Sequence, residues 1–313
     1  MGFIYFLCKR ILAALITVAV TITVSFFLMR LAPGGPFDLG RIMPPQVQAN
    51  LKRHFHLDLP IFDQYLIYMR DLLHADLGPS MVYVDRSVSA ILASGLVATL
   101  QIGICAIILA LVLGIAVGVL AAVSPNGLLS RLIVNLSMVG VLVPSFILAP
   151  LLSLVLAFQL RWFAIAGWGD GGWFYLTLPV IAVALPQVGI IAKLMRASLM
   201  DVLGQMHIRT AIAKGLPPAA VLVKHALRPA LFPVISYMAP AMANVLTGSV
   251  VVEQVFAIDG IGRYFVQGAL NRDYTTVMGT VIVYTSLIVL FNMLTDFVYA
   301  LADPRVQAGV AND

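Results

Sequence analysis

The chain has 313 residues, of which 61% are hydrophobic and only 11% charged, and its mean hydropathy is +1.00. Those values exclude an ordinary soluble domain, in which about a quarter of the residues are charged. The formal net charge of +5 comes from bases that flank apolar runs and form no stripe with aromatics, which excludes a nucleic-acid surface as well.

Lys9-Arg10 precede an apolar run from Ile11 to Met29. A signal peptide also starts with positive charge, but its apolar core is about 7–15 residues long and ends at a small-residue cleavage site. This run is longer, and Arg30-Leu-Ala-Pro-Gly-Gly offers no such site. It reads as a retained first span with its N-terminus inside.

Residues 31–92 form the one long hydrophilic region, with acids and bases nearly in balance. Pro33-Gly34-Gly35-Pro36 breaks the helix, and short amphipathic helices are predicted near Gln46–Phe55 and Ile61–Leu73. A long external loop of this kind translocates regardless of its positive charges. His54 and His56 are two apart and share no helix face, so they make a poor metal pair. Cys8 and Cys105 lie in or beside apolar runs, and neither a disulfide nor a Cys/His metal spacing is expected.

Five further spans are predicted at roughly 96–123, 132–158, 174–194, 229–253 and 277–302, each long enough for about 30 Å of hydrocarbon. The first of these carries Gly114-x-x-x-Gly118, small residues that let another helix approach closely. The next three carry paired prolines: Pro144 and Pro150, Pro179 and Pro186, Pro233 and Pro240. Each proline removes an intrahelical hydrogen bond, so these helices need neighbours or water to satisfy the backbone, either as packing kinks or around a path. Gln101, Asn135, Gln187, Asn244 and Asn292 are the polar groups placed mid-span, with Asp296 near the inner end of the last span, where it can be solvated. Gln101, Gln187 and Asn244 are candidates to line a path, because amides offer both donors and acceptors; the alternative for each is a bond to a neighbouring helix.

With the N-terminus inside and six spans, the inner segments hold Lys9, Arg10, Arg131, Arg305 and six bases between Lys193 and Arg228. The short outer loops hold Arg161, Arg263 and Arg272. The positive-inside bias therefore places the Lys193–Arg228 loop and both termini in the cytoplasm. Within that loop a short helix is expected from about Gln205 to Gly215, where a glycine ends it at little cost. Pro217-Pro218 then suit the first turn of the next helix.

The wording of this loop, Arg209-Thr-Ala-Ile-Ala-Lys-Gly215 and then His225-Ala-Leu-Arg228-Pro229, resembles the segment by which permease subunits of ABC importers grip their ATPases. The general pattern is Glu-Ala-Ala, then Gly, then Ile-x-Leu-Pro. Gly215 matches, whereas Arg209-Thr210 stand for Glu-Ala, His225 for Ile, and Arg228 at the proline position with Pro229 one later. These departures are those of the peptide and nickel permeases. Arg30-Leu-Ala-Pro-Gly, His56-Leu-Asp-Leu-Pro60 and Asp76-Leu-Gly-Pro-Ser80 resemble the oligopeptide branch in particular. Glu253-Gln-Val-Phe-Ala-Ile-Asp-Gly260-Ile-Gly262-Arg263 and Asn271-Arg-Asp-Tyr274 extend the resemblance over essentially the whole chain. Gly260 and Gly262 read as a turn or re-entrant segment, since a lone GxG is no phosphate cradle.

The resemblance implies an all-α membrane protein with six transmembrane helices, a long external loop after the first, and a cytoplasmic coupling helix between the fourth and fifth. It divides the chain into an N-terminal helix (1–30), an external region (31–92), a five-helix type-1 permease core (93–303) and a cytoplasmic tail (304–313). It implies ATPase contact through Arg209, Thr210, Ala211, Ala213, Lys214, Gly215 and Leu216. The implied partners are a second permease, two cytoplasmic ATPases that hold ATP and magnesium, and an external substrate-binding protein, in a bacterial inner membrane.

No P-loop, Gly-x-Ser-x-Gly or His-Glu-x-x-His motif occurs, so no catalytic residue and no bound cofactor is expected in this chain. Spans without a relay of ionisable groups argue for energy supplied by a partner rather than by ion coupling. A dipeptide or nickel importer, an ion-coupled carrier and an intramembrane enzyme are the competing readings.

Overall fold

The computed structural model describes residues 2–31, 34–37, 44–83, 85–124, 127, 130, 135, 140–169 and 171–302. Helix α1 (Gly2–Leu31) leads into two short helices, α2 (Pro45–His54) and α3 (Ile61–Leu73). Both short helices start on a proline, at N1 of α2 and at the residue before α3, where a missing N–H costs nothing. Helix α4 (Val88–Val123) begins at Ser87, whose hydroxyl accepts the Ala90 N–H at 3.2 Å. Its 36 residues reach about 54 Å, more than a hydrocarbon core needs.

Helix α5 (Ser145–Leu152) widens into a π-helical segment, Ser153–Gln159, three residues past Pro150. The long helix α6 (Trp173–Leu203) absorbs Pro179 and Pro186. Then come α7 (Met206–Ala213), α8 (Pro218–Ala220), a second π-helical segment (Val221–Ala226) and α9 (Leu227–Ala230). Helix α10 (Phe232–Val255) holds Pro233 in its first turn and Pro240 inside. A tight turn leads to α11 (Ile261–Leu270), and α12 (Tyr274–Ala302) completes the order. The described residues contain no β-strand, only an isolated bridge between Pro79 and Ser87.

Five described helices are long and apolar enough to cross a membrane: Cys8–Leu31, Val88–Val123, Trp173–Leu203, Phe232–Val255 and Tyr274–Val298. The span expected over 132–158 falls partly outside the described residues, and its described part is the shorter apolar helix Ser145–Gln159. The short helices expected in the 31–92 region are both present, within a residue or two of their predicted ends.

The core runs along α4 and α6. Gly114 and Gly118 make it possible: an added Cβ would stand 2.7 Å from Ile191 Cγ2 at the first and 2.6 Å from Met195 Cβ at the second. Neither distance tolerates a side chain, so the small-residue pair is a helix contact, as its spacing predicts. At the other end of the chain α1 lies against α12. There Arg10 pairs with Asp296 at 2.9 Å across half-exposed side chains, so Asp296 is held by a cation rather than merely solvated.

Candidate functional site

The loop between α6 and α10 is built from the helix stops that the sequence contains. Gln205 takes the N-cap position of α7 with its backbone carbonyl alone, and Gly215 N–H donates to the Ile212 carbonyl at 2.9 Å. Gly215 itself has φ +77°, the left-handed turn for which glycine is suited. Helix α7 is amphipathic. Ile208 and Ala211 face the protein core and are buried, whereas Met206, Arg209, Thr210, Ile212 and Ala213 lie on the open side.

Lys214, Gly215 and Leu216 continue that open surface. The sequence candidates are thus gathered on one face, with one exception: Ala211 packs inward and offers no outer contact. Beside this face an apolar cleft of about 490 Å³ runs between Leu203, Ile208, Ile212, Leu216 and Val221. Exposed Met206 and Ile212, 75% and 59% accessible, stand on either side of Arg209, and such a mixed apolar and basic surface suits docking to a protein surface with apolar and acidic groups.

Two of the three mid-span amides, Gln187 and Asn244, meet at the Tyr237 hydroxyl, and Gln101 stands apart on α4. Gln187 is buried, and its Oε1 accepts a 2.8 Å bond from Tyr237 Oη, which joins α6 to α10. Gln101 is part-exposed and Asn244 exposed, and Thr247 donates to the Asn244 backbone carbonyl at 3.2 Å. Cys8 and Cys105 are free thiols, and no group of three or more metal-ligating side chains is found among the described residues.

Two buried carboxylates at the far end of the bundle carry more structure than the sequence reading assigned them. Glu253 ends the span that the sequence predicts over 229–253, and it is fully buried in α10. It accepts from Thr99 Oγ1 of α4 at 2.8 Å and from the backbone N–H of Gly262 at 2.7 Å and Arg263 at 3.3 Å. The last two are free donors of the first turn of α11, so the carboxylate caps a helix from outside it. Gly262 lies so close that a Cβ there would stand 2.4 Å from Val250 Cα. Gly260, Ile261 and Gly262, read from sequence as a turn or re-entrant segment, are the N-cap and first turn of α11, and that helix end is brought onto Glu253.

Asp273, also fully buried, caps α12 by accepting from Thr276 N–H at 3.1 Å and Thr276 Oγ1 at 2.8 Å. It accepts as well from the Ser80 hydroxyl and, at 3.1 Å, from the Met81 N–H. Asp76-Leu-Gly-Pro-Ser80 and Asn271-Arg-Asp-Tyr274, read as separate motifs, therefore form one joint. Tyr83 adds a 2.7 Å bond to Gln267 Oε1, and burial pushes its phenol upward, which keeps it a protonated donor. Two segments nearly two hundred residues apart give no sign in sequence that they meet; only their shared polarity beside apolar runs could have drawn attention to them.

The chain matches two families over these regions. Residues 114–308 match the binding-protein-dependent transport system inner membrane component, and residues 3–82 match the N-terminal membrane component of the same systems. It is 45% identical over 302 residues to the oligopeptide transport system permease protein OppB of Haemophilus influenzae, covering 96% of this chain and 99% of that one. It is 43% identical to OppB of Escherichia coli K12 with the same coverage. It is 40% identical to the dipeptide transport system permease protein DppB of Bacillus subtilis, covering 96% of this chain and 97% of that one. A solved structure of the MetNI methionine ABC transporter, inward facing, superposes with a TM-score of 0.58 at 21% identity, over 69% of this chain and 97% of the other; that likeness is one of fold. A bundle of apolar helices, a basic amphipathic helix between two of them and full-length identity above 40% thus converge, and the chain belongs to the family of binding-protein-dependent transport system inner membrane components.

Proposed function

We propose that this chain carries oligopeptides inward as one of two permeases of an ATP-driven importer. As a member of its family it is a membrane-spanning permease component. The reading that the cargo is an oligopeptide rests on the 45% and 43% identity, over nearly the whole chain, to relatives named as oligopeptide permeases. A dipeptide cargo is the second reading, supported by the 40% identity to a dipeptide permease.

In this reading the chain is non-catalytic, and ATP with its magnesium sits on two cytoplasmic ATPases. Helix α7 seats in a groove of one of them through Arg209, Thr210, Ala213, Lys214, Gly215 and Leu216. Motion of that helix passes through the π-helical Val221–Ala226 segment into α10. π-helical turns are rare in helices and recur at functional sites. The path forms between this chain and a second, similar permease, since Gln187 spends its amide oxygen on Tyr237 and one bundle presents few polar walls. An external binding protein delivers the peptide, and both termini lie in the bacterial cytoplasm.

The test is uptake by the four-subunit complex in proteoliposomes with its binding protein. Labelled tetra- and pentapeptides should enter only with ATP enclosed in the vesicles, on the side of the ATPases, and should outcompete dipeptides. Uptake driven by a proton gradient without ATP would overturn the importer mechanism; exclusive uptake of dipeptides would move the cargo to the second reading.

A further inference from the structure

Helix α3 carries two apolar faces, and only one of them is used inside the protein. Gln64, Tyr65, Tyr68, Met69 and Leu72 pack against the last turns of α1 and against Met278 and Ile282 of α12. Phe62, Leu66 and Leu73 recur at helical spacing on the neighbouring face and are 62%, 51% and 83% exposed. Asp63, Arg70 and Asp71 occupy the remaining, polar side. A helix with a buried stripe needs no second one for folding, so the exposed stripe calls for an occupant.

The contacts to α1 fix the depth of α3. Tyr65 Oη and Thr23 Oγ1 share a hydrogen bond of 2.9 Å, and Arg30 Nε donates to Gln64 Oε1 at 2.9 Å. Thr23 lies eight residues before the end of α1, about 12 Å back along its axis. Since α1 is a span, α3 does not stand above the membrane but lies alongside the last turns of a transmembrane helix.

The exposed stripe is also continuous with the lipid-facing side of α1. Phe62 meets Tyr65 at 6.4 Å between ring centroids, and Tyr65 meets Phe27 of α1 at 5.3 Å. Beyond Phe27, Val20, Val24 and Leu31 of α1 are 54%, 49% and 73% exposed, as hydrocarbon-facing residues are. Helix α3 thus extends the apolar surface of α1 sideways and turns its charged edge the other way.

We propose that α3 is an interfacial helix embedded in the leaflet at the C-terminal end of α1, with Phe62, Leu66 and Leu73 among the acyl chains and Arg70 at headgroup level. The occupant of the stripe is lipid. Such a helix anchors the hydrophilic 31–92 region to the bilayer surface and keeps the joint at Asp273 at a fixed height. The inference needs only that α1 spans a membrane, and holds whichever cargo the protein carries.

The test uses single cysteines at Phe62, Leu66, Leu73 and Arg70 in a Cys8→Ser, Cys105→Ser background, spin-labelled in the assembled complex in nanodiscs. Power saturation is read with oxygen, which enriches in hydrocarbon, and with a water-soluble nickel chelate. The three stripe sites should relax more with oxygen than with nickel, and Arg70→Cys should show the reverse ratio. Nickel accessibility at the stripe exceeding that of oxygen would overturn the proposal in favour of a solvated face. Shielding from both agents would overturn it in favour of a protein partner. Each stripe site reports independently, so loss of one variant to misassembly leaves two others to decide.

Discussion

Thr99 and Glu253, 154 residues apart, meet at 2.8 Å in the interior of the bundle. The same Thr99 oxygen accepts the Ile261 N–H at 2.9 Å, so a single hydroxyl joins α4, α10 and α11. Thr99→Val keeps the shape and removes both bonds. It leaves a buried carboxylate and a buried N–H each short of a partner, at a cost of about 1–3 kcal/mol. Thr99→Ser keeps the hydroxyl and should cost much less. Thermal unfolding of the purified complex compares the two; equal midpoints for Val and wild type would mean that the hydroxyl contributes nothing.

Asp273 acts on two segments at once, which separates its loss from a simple cap deletion. Asp273→Ala should destabilise the start of α12 by roughly 0.5–2 kcal/mol, the usual range for a lost N-cap. It should also free Ser80 and Met81, whose donors point at the carboxylate. Hydrogen exchange should therefore rise at 80–83 as well as at 275–277, with α6 and α7 unchanged. Faster exchange confined to 275–277 would show that the loop is held by other contacts.

Much of the helical framework was legible in the sequence because apolar runs of span length and the glycine and proline stops are local signals. Gly215, Pro217-Pro218 and Gly114-x-x-x-Gly118 are examples, each readable within a turn or two of helix. The caps at Glu253 and Asp273 were not legible as such, because a carboxylate that caps a helix or loop far along the chain leaves no periodicity. Nor could Gln187 be separated from Gln101 as a bonded amide, since its partner Tyr237 is set by how α6 crosses α10. Ala211 is inseparable from its neighbours in sequence for the same reason: a motif gives a run of residues, and only the helix face tells which of them point outward.

The contact between α4 and α6 makes a sharp steric prediction. A Cβ at Gly118 would lie 2.6 Å from Met195 Cβ and 2.7 Å from the Ala192 carbonyl, neither of which can retreat without moving α6. Gly118→Val should therefore cost about 1–3 kcal/mol or more and lower the yield of assembled complex. Gly248→Ala in α10 is the control, because an added Cβ there meets nothing within 4 Å. That variant should be neutral or slightly stabilising. A Gly118→Val protein as stable as wild type would show that α4 and α6 are further apart than described.

The orientation of the chain can be read from two exposed sites on opposite sides of the membrane. Asp58 is exposed and serves as the first. In a Cys8→Ser, Cys105→Ser background, Asp58→Cys should react with an impermeant maleimide added to intact cells. Lys214→Cys should react only after permeabilisation. The reverse pattern would invert the orientation and remove the loop from the compartment that holds ATP.

The conformation of Gly215 decides between two ways in which its replacement could harm coupling. Its φ of +77° is costly for any L-residue with a side chain, by about 1–2 kcal/mol, and most costly for a β-branched one. Bulk within the chain is no obstacle, because a Cβ at 215 meets nothing within 4 Å. Asn tolerates left-handed geometry better than Ala or Val. If α7 transmits ATPase motion through a turn of fixed angle, ATP-coupled uptake should fall in the order Gly, Asn, Ala, Val, with membrane insertion unchanged throughout. A Gly215→Asn protein as impaired as Gly215→Val would place the defect in a partner surface pressed against residue 215. A Gly215→Val protein with normal uptake and normal ATP turnover would remove this turn, and with it α7, from the coupling path.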